Sequence, residues 1–231
     1  MSPVLLIIII ATAIFSYVGF TNHQLFEKYK FNVGAILQKK EYVRLISAGF
    51  LHADIMHLLL NMYVLYSFSQ PIFEAFGTAG FLVIYFGSIL LGNLFSLYLY
   101  KSQSWYSAIG ASGGVSGIIF ASVALYPDLI KIGIIFLPSE FSLPGYIFGL
   151  LYFGYSVYMM LNPNQNDNIG HAAHLGGAFF GLVYTVIIFP AQAMENILFL
   201  LIMSLPLIYM SYMVFVKKKI GLFFLRSNKS R

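Results

Sequence analysis

The chain has 231 residues, of which 59% are hydrophobic and only 9% are charged. It carries 13 Lys and Arg against 8 Asp and Glu, a formal net charge of +5, and no cysteine. Such an apolar composition excludes an ordinary soluble domain and indicates a polytopic membrane protein, and the lack of cysteine excludes disulfides, thiolate metal sites and a cysteine nucleophile. Because the basic residues cluster at the ends of apolar segments, we expect membrane anchoring and no nucleic-acid partner.

Seven stretches lack Asp, Glu, Lys and Arg and approach the roughly 20 residues that a helix needs to cross a bilayer. In chain order they are residues 3–20, 55–73, 77–100, 108–126, 141–161, 169–190 and 196–216. They predict an all-α fold, a helix bundle of an integral, multi-pass membrane protein. One membrane domain, residues 1–216, would fill the chain, followed by a basic tail at 217–231. The first span has no basic n-region, so we expect it to be retained rather than cleaved as a signal peptide.

The polar residues inside these spans are histidine, asparagine, serine and glycine rather than acids. All 8 acids lie outside the spans or at their edges, which excludes an intramembrane aspartate pair, and no HExxH zinc motif is present. Since the second, fourth and sixth spans enter from the same side, polar residues near their starts should converge in one shallow layer. Those residues are His57, Asn61, Ser112, His171 and His174.

This layer contains what acyl transfer requires: a hydroxyl nucleophile, an imidazole to take its proton, and donors for an oxyanion. Ser112 would lie in the first turn of its helix, where free backbone N–H groups and the helix dipole favour an anion. The best partner for its proton is His174. No acid is placed to orient this histidine except Asp167, about two turns earlier, so we expect a Ser-His dyad rather than a triad.

Glycines flank both candidate residues. Gly113 and Gly117 form a GxxxG ridge on the fourth span, and Gly177 and Gly181 form another on the sixth. Small residues spaced in this way let two helix backbones approach closely. If the two ridges face each other, the serine and the histidine come within reach.

Taken together, these motifs resemble the rhomboid intramembrane serine proteases. Gly110-Ala111-Ser112-Gly113 matches the family's GxSG, and Ala173-His174 with Gly177 and Gly181 matches its AHxxGxxxG. His52, His57 and Asn61 match the family's HxxxxHxxxN. Arg44 in the first loop and Glu74-Ala75-Phe76-Gly77 at the end of the second span match as well. They follow the expected order from about Glu41 to Gly181. The resemblance implies a six-helix core, to which residues 196–216 would add a seventh transmembrane helix.

The resemblance also implies an activity and its residues. Ser112 would be the nucleophile and His174 the general base, with His57, Asn61 and the Ser112 amide around the oxyanion. The implied reaction is hydrolysis of peptide bonds in or near transmembrane helices of membrane-protein substrates. It needs no cofactor and no metal, and the implied partners are those substrates and membrane lipids.

Two positions depart from the family's pattern, and a second GxSG is present. Val43 stands where a tryptophan usually precedes the loop arginine. Ser116 stands where a bulky residue commonly packs on the catalytic histidine, so we expect Ser116→Phe to help rather than harm. Ser116 also completes Gly114-Val115-Ser116-Gly117, but it lies one turn deeper, where intrahelical bonds occupy the amides that an oxyanion needs.

Other interpretations use the same residues. A GxSG in a glycine-rich span is by itself more often a packing motif than a catalytic one. The chain could be a catalytically inactive rhomboid-like protein that binds transmembrane helices. Four histidines could bind a metal, namely His52, His57, His171 and His174. No carboxylate or thiol accompanies them as a further ligand. A transporter would be expected to show half-helix breaks in repeated halves, which are not seen.

The orientation in the membrane is predicted differently by two arguments. With seven spans, every Lys and Arg except Lys131 falls on the face that holds the site, so the positive-inside rule places that face in the cytoplasm. The family resemblance implies the opposite, exoplasmic side. The basic tail agrees with the family only if residues 196–216 do not cross.

Overall fold

The computed structural model describes residues 2–133, 140, 142–162 and 170–217. Before the long central helix come α1 (Pro3–Thr21), α2 (His23–Tyr29), α3 (Val33–Lys39), α4 (Arg44–Ser47) and a 3-10 turn (Ala48–Phe50). Then follow α5 (Ile55–Tyr100), α6 (Ser112–Leu125), α7 (Gly145–Leu161), α8 (His171–Ile188), α9 (Pro190–Glu195), α10 (Ile197–Ser211) and a π-helical turn (Tyr212–Val216). The described strands are two-residue antiparallel pairs, β1 (Phe31–Asn32) with β2 (Ser107–Ala108) and β3 (Lys131–Ile132) with β4 (Leu143–Pro144). The predicted all-α fold is confirmed.

α5 is two spans joined by a glycine. Its 46 residues would measure about 69 Å if straight, roughly twice the hydrocarbon thickness of a bilayer. Gly77 interrupts it with φ 65° and ψ −172°, a conformation that favours glycine. The parts on either side, 55–76 and 78–100, fold back so that His57 approaches Gly110 while Gly92 approaches Ala173, both close to the start of α6.

In the part of the chain that the structure describes, four helical segments are long and apolar enough to cross a membrane, namely α1, α5, α8 and α10 with its π-helical turn. α6 and α7 are shorter and also apolar. The protein is therefore an integral multi-pass membrane protein, as predicted. The limits of its membrane domain and the role of residues 217–231 as a basic tail remain predictions.

α6 is the centre of the bundle, because every residue from Gly113 to Leu125 is buried. α8 lies directly against it: a β-carbon at Gly177 would overlap the Gly113 carbonyl oxygen, and one at Gly181 would overlap that of Gly117. α8 makes a second close contact with α5, where a β-carbon at Gly176 would lie 2.9 Å from the Gly92 Cα. Backbone approach on both sides therefore fixes the position of α8.

The first loop is ordered by a buried arginine. The Arg44 guanidinium pairs with Glu41 at 2.6 Å and donates to the carbonyl oxygens of Glu27 and Lys30 at 2.7 and 2.8 Å. These bonds join α2 to α4 and satisfy a charge that would otherwise be costly to bury. Arg44 thus has a structural role in the loop.

Candidate active site

Ser112 is the first residue of α6, at the end of a strained turn. Gly110 has φ 120°, which favours glycine, and its N–H donates to the Ala48 carbonyl oxygen at 3.0 Å. The next N–H, that of Ala111, donates to Nε2 of His52 at 3.3 Å. The turn is therefore held from both sides, and the first N–H groups of α6 have no acceptor within the helix.

His174 lies in the first turn of α8 and reaches Ser112 directly. Its Nε2 is 2.6 Å from the Ser112 Oγ, although the two residues are 62 positions apart in the chain. The backbone of α8 is equally close, since a β-carbon at Gly113 would lie 3.4 Å from the Ala173 carbonyl oxygen. The close helix approach permitted by glycine thus places a hydroxyl within hydrogen-bond distance of an imidazole nitrogen.

His57 also lies near Ser112, in the first turn of α5. Asp54 caps that helix by accepting from the His57 N–H at 2.8 Å, and the Ala53 N–H donates to Nδ1 of His57 at 3.4 Å. In the neutral imidazole the proton is then on Nε2. A β-carbon at Gly110 would lie 3.0 Å from this Nε2 and 3.5 Å from the Ser112 Oγ. Because Gly110 has no side chain, the space between the His57 Nε2–H and the Ser112 hydroxyl is open.

Asn61 is buried one turn further along α5. Its Nδ2 donates to the His57 carbonyl oxygen at 2.9 Å, within its own helix. A carboxamide nitrogen has two N–H groups, so one donor is used in this bond. The structure thus brings Ser112, His174 and His57 together, whereas the hydrogen bond formed by Asn61 is to the helix backbone.

His52 is buried behind the turn and is held at both ring nitrogens. The Ser16 hydroxyl donates to the Phe50 carbonyl oxygen, so Nδ1 of His52 donates to the Ser16 Oγ at 2.9 Å and Nε2 accepts from Ala111. Burial, together with the neighbouring His57, lowers the pKa of His52 to about 3, so the ring is neutral. The ring therefore orders loop backbone, as expected.

The metal interpretation gains nothing from this geometry, because both nitrogens of His52 are occupied. Within residues 2–133, 140, 142–162 and 170–217, no three His, Cys, Asp or Glu side chains are grouped so as to hold a metal ion. Asp167, considered as an orienting acid, lies outside the described residues.

Tyr152, from α7, also lies at the site and was not predicted from the sequence. Its hydroxyl is 2.8 Å from the Ser116 Oγ, and its ring lies nearly parallel to that of His174, at 21° with centroids 6.3 Å apart. An aromatic ring thus lies beside the histidine after all, supplied by a different helix. Because Ser116 is buried against it, the structure argues against the expectation that Ser116→Phe would help.

The family model of the rhomboid domain matches residues 39–191. This chain belongs to the rhomboid family. Every site residue described above except Ser16 falls inside the matched range. Rhomboids act on membrane proteins within the membrane, and the family includes serine intramembrane proteases.

Several curated relatives are similar over the rhomboid region. The human "Presenilin-associated rhomboid-like protein, mitochondrial" is 31% identical over 141 residues, 61% of this chain and 36% of that protein. "Rhomboid protein 1, mitochondrial" of Saccharomyces cerevisiae is 29% identical over 173 residues, 70% of this chain and 47% of that protein. "Rhomboid-like protease 3" of Toxoplasma gondii is 42% identical over 76 residues, 33% of this chain and 28% of that protein. The chain spans less than half the length of each of these relatives.

Proposed function

We propose that this rhomboid is an intramembrane serine endopeptidase that uses a Ser112-His174 dyad. The observation that carries the proposal is the 2.6 Å contact between the Ser112 Oγ and Nε2 of His174 at the N-terminus of α6. A hydroxyl hydrogen-bonded to an imidazole, next to free helix amides, is the arrangement that nucleophilic acyl transfer requires. Membership of the rhomboid family, which includes serine intramembrane proteases, supports the same reaction class.

In the first step the Ser112 Oγ forms a bond to the substrate's carbonyl carbon while Nε2 of His174 takes the hydroxyl proton. The carbonyl π electrons move to its oxygen, which becomes an oxyanion. The Ser112 N–H and the His57 Nε2–H border the space where this oxygen would lie, and the second N–H of Asn61 is a third donor. A donor that acts only on the developing charge stabilises the transition state more than the bound substrate.

Collapse of the tetrahedral intermediate breaks the carbon–nitrogen bond. His174 returns its proton to the leaving amine, and an ester to Ser112 remains. A water molecule, deprotonated by His174, then attacks the carbonyl carbon of this ester and forms a second tetrahedral intermediate. Its collapse breaks the bond to the Ser112 Oγ, His174 returns the proton to that oxygen, and the carboxyl product is released. The dyad is unchanged after each turnover.

The substrates we propose are transmembrane helices that unwind easily near the layer of Ser112. Inside a helix the peptide carbonyls are hydrogen-bonded and shielded by side chains, so a scissile bond must leave the helical conformation first. Glycine and proline lower the cost of this step.

A comparison of two serines tests the proposal. The purified protein, reconstituted in liposomes with a model transmembrane substrate, should cleave it and react with a fluorophosphonate probe. Ser112→Ala should abolish both reactions, whereas Ser116→Ala should keep at least about a third of the cleavage rate, because its amide lies within the helix. Continued cleavage by Ser112→Ala would overturn the assignment. A wild-type protein that binds the substrate helix, yet neither cleaves it nor reacts, would instead be a helix-binding rhomboid-like protein.

A further inference from the structure

The face of α6 that carries Ser112 also carries Ser116. The two serines are four residues apart, so they lie one above the other on the helix surface. Each hydroxyl is paired with a side chain from a different helix: Ser112 with His174 of α8, and Ser116 with Tyr152 of α7. The histidine and the tyrosine are therefore fixed side by side along one face of α6.

The two rings are in the geometry of an offset stack. Their planes differ by 21° and their centroids are 6.3 Å apart, within the range of 4.5–7 Å that aromatic pairs adopt. Other aromatic rings surround Tyr152, with centroids 5.4 Å away for Phe120 and 5.6 Å for Phe148. The tyrosine ring is thus held by packing as well as by its hydroxyl.

The stacking of Tyr152 on His174 restrains rotation of the His174 imidazole. Nε2 of His174 contacts the Ser112 Oγ only over a narrow range of ring angles, and the terminal torsion of histidine is intrinsically broad. A flat neighbour on one side limits that torsion. The bond from the Tyr152 hydroxyl to Ser116 fixes the neighbour to the same helix that bears the nucleophile.

We infer that Tyr152 is a positioning residue for His174 and that Ser116 is its anchor. The inference rests on the proposed function, because it assigns Tyr152 a role in keeping the general base aligned with Ser112. A misplaced base slows the chemical step while substrate binding is unaffected, since a displacement of about 1 Å can cost on the order of 100-fold in rate. Tyr152 therefore acts on kcat rather than on KM.

The test separates the ring from the hydroxyl. Tyr152→Leu removes the ring, and we expect kcat to fall about 10- to 100-fold with KM within about twofold. Tyr152→Phe keeps the ring but loses the hydrogen bond to Ser116, so kcat should fall only about two- to threefold below that of the wild type. Tyr158→Leu, at an exposed position of the same helix, is the matched control and should leave kcat unchanged.

The anchor is tested by a double-mutant cycle. Ser116→Ala and Tyr152→Phe each remove the same hydrogen bond, so the double variant should lose no more kcat than either single variant. The rate of fluorophosphonate labelling of Ser112, which needs no substrate helix, should fall in parallel with kcat. If Tyr152→Leu does not fold, the cycle and the labelling rates decide: fully additive losses, or single variants with unchanged rates, would overturn the anchoring.

The outcomes distinguish this inference from the function on which it rests. A wild-type protein that neither cleaves nor labels contradicts the protease proposal. A wild-type protein that does both, with Tyr152→Leu folded and equally fast, contradicts only the positioning role. A fall in the unfolding temperature of Tyr152→Leu with kcat per folded molecule unchanged also overturns it, because the tyrosine would then be a packing residue.

Discussion

Two sides of the helix bundle are held together in different ways. On one side α8 meets α5 and α6 through glycines, with backbone against backbone at Gly92, Gly113 and Gly177. On the other side α7 meets α10 through large side chains, such as Tyr146 against Phe199 with ring centroids 4.8 Å apart. Backbone contacts leave almost no freedom in the distance between helices, whereas side chains can repack.

The residues of the proposed reaction come from both sides of the bundle, and each side contributes a different part. The nucleophile and the base lie on α6 and α8, on the glycine-packed side, where a hydrogen bond of 2.6 Å must be kept. Tyr152, which we infer positions the base, comes from the side packed by large side chains. The distance between the nucleophile and the base is thus set by backbone contact, and the orientation of the base is set by side chains.

The largest effect is expected where a methyl group enters the glycine contact. In Gly177→Ala the new β-carbon would overlap the Gly113 carbonyl oxygen, so α6 and α8 must move apart. We expect loss of the contact between Ser112 and His174 and a fall in cleavage rate of at least about 100-fold. The fall is measured as the rate at which a model transmembrane substrate is cleaved in liposomes, relative to the wild type.

The matched control is Gly149→Ala, a buried glycine of α7. Its β-carbon would lie 3.1 Å from the Met203 Cε, 3.2 Å from the Phe120 Cε1 and 3.3 Å from the Met203 Cβ. These are side-chain atoms that need to give by only a few tenths of an ångström, whereas the Gly177 β-carbon meets backbone. Cleavage should stay within about twofold of wild type. Equal losses of cleavage rate in the two variants would show that both sides of the bundle are equally rigid, which would contradict the difference described here.

An effect of similar size is expected at the oxyanion donors, on the glycine-packed side. His57→Ala removes an imidazole N–H that faces the space beside the Ser112 Oγ, and Asn61→Ala removes the carboxamide. Loss of one such donor typically costs 10²–10³ in kcat. We expect falls of about this size with KM little changed, both smaller than for Ser112→Ala, because the Ser112 amide remains.

Thermal unfolding separates catalysis from packing in these two variants. An interhelical polar bridge in a membrane is worth only about 0.6 kcal/mol, so little stability should be lost. Leu59→Ala, at an exposed position of the same helix, serves as the control. A donor variant with full kcat, or one that unfolds readily, would place that residue among the packing residues.

The contrast between the two sides also explains what the sequence could predict. Apolar runs indicate helices because a bilayer requires long apolar segments, and paired GxxxG ridges indicate which helices touch because only small residues permit that approach. Ser112 and His174 could be paired from the sequence for this reason. The candidate site was thus predictable where it depends on backbone contact.

Tyr152 could not be predicted, for a physical reason. α7 is apolar on the faces toward lipid and toward protein alike, so its sequence does not fix its rotation about its own axis. Without that rotation, no pattern shows that Tyr152 rather than Tyr155 points at the histidine. The bond from His52 to Ala111 was equally hidden, since it joins two loops 59 positions apart.

The smallest effect concerns His52, behind the glycine-bearing turn. Burial lowers its pKa to about 3 in the folded protein, whereas an exposed histidine has a pKa of about 6.5. Above pH 6.5 the ring is neutral in both states, so it does not change stability with pH. Between about pH 6.5 and 3 the unfolded chain binds a proton that the folded protein does not, and the free energy of unfolding falls as pH falls.

The expected slope is about 1.4 kcal/mol per pH unit well below pH 6.5, so about 1 kcal/mol is lost between pH 6.5 and pH 5.5. His52→Gln does not titrate, and its carboxamide can still accept from the Ala111 N–H and donate to Ser16. Unfolding temperatures of the two proteins between pH 8 and 5 should therefore diverge only below pH 6.5, with the wild type losing more. Cleavage rates are not the measurement here, because they depend on the reaction at Ser112 and His174 as well as on the stability of the fold. If both proteins lose stability in parallel, His52 is not held neutral by its burial, and the turn that carries Ser112 does not depend on the uncharged ring.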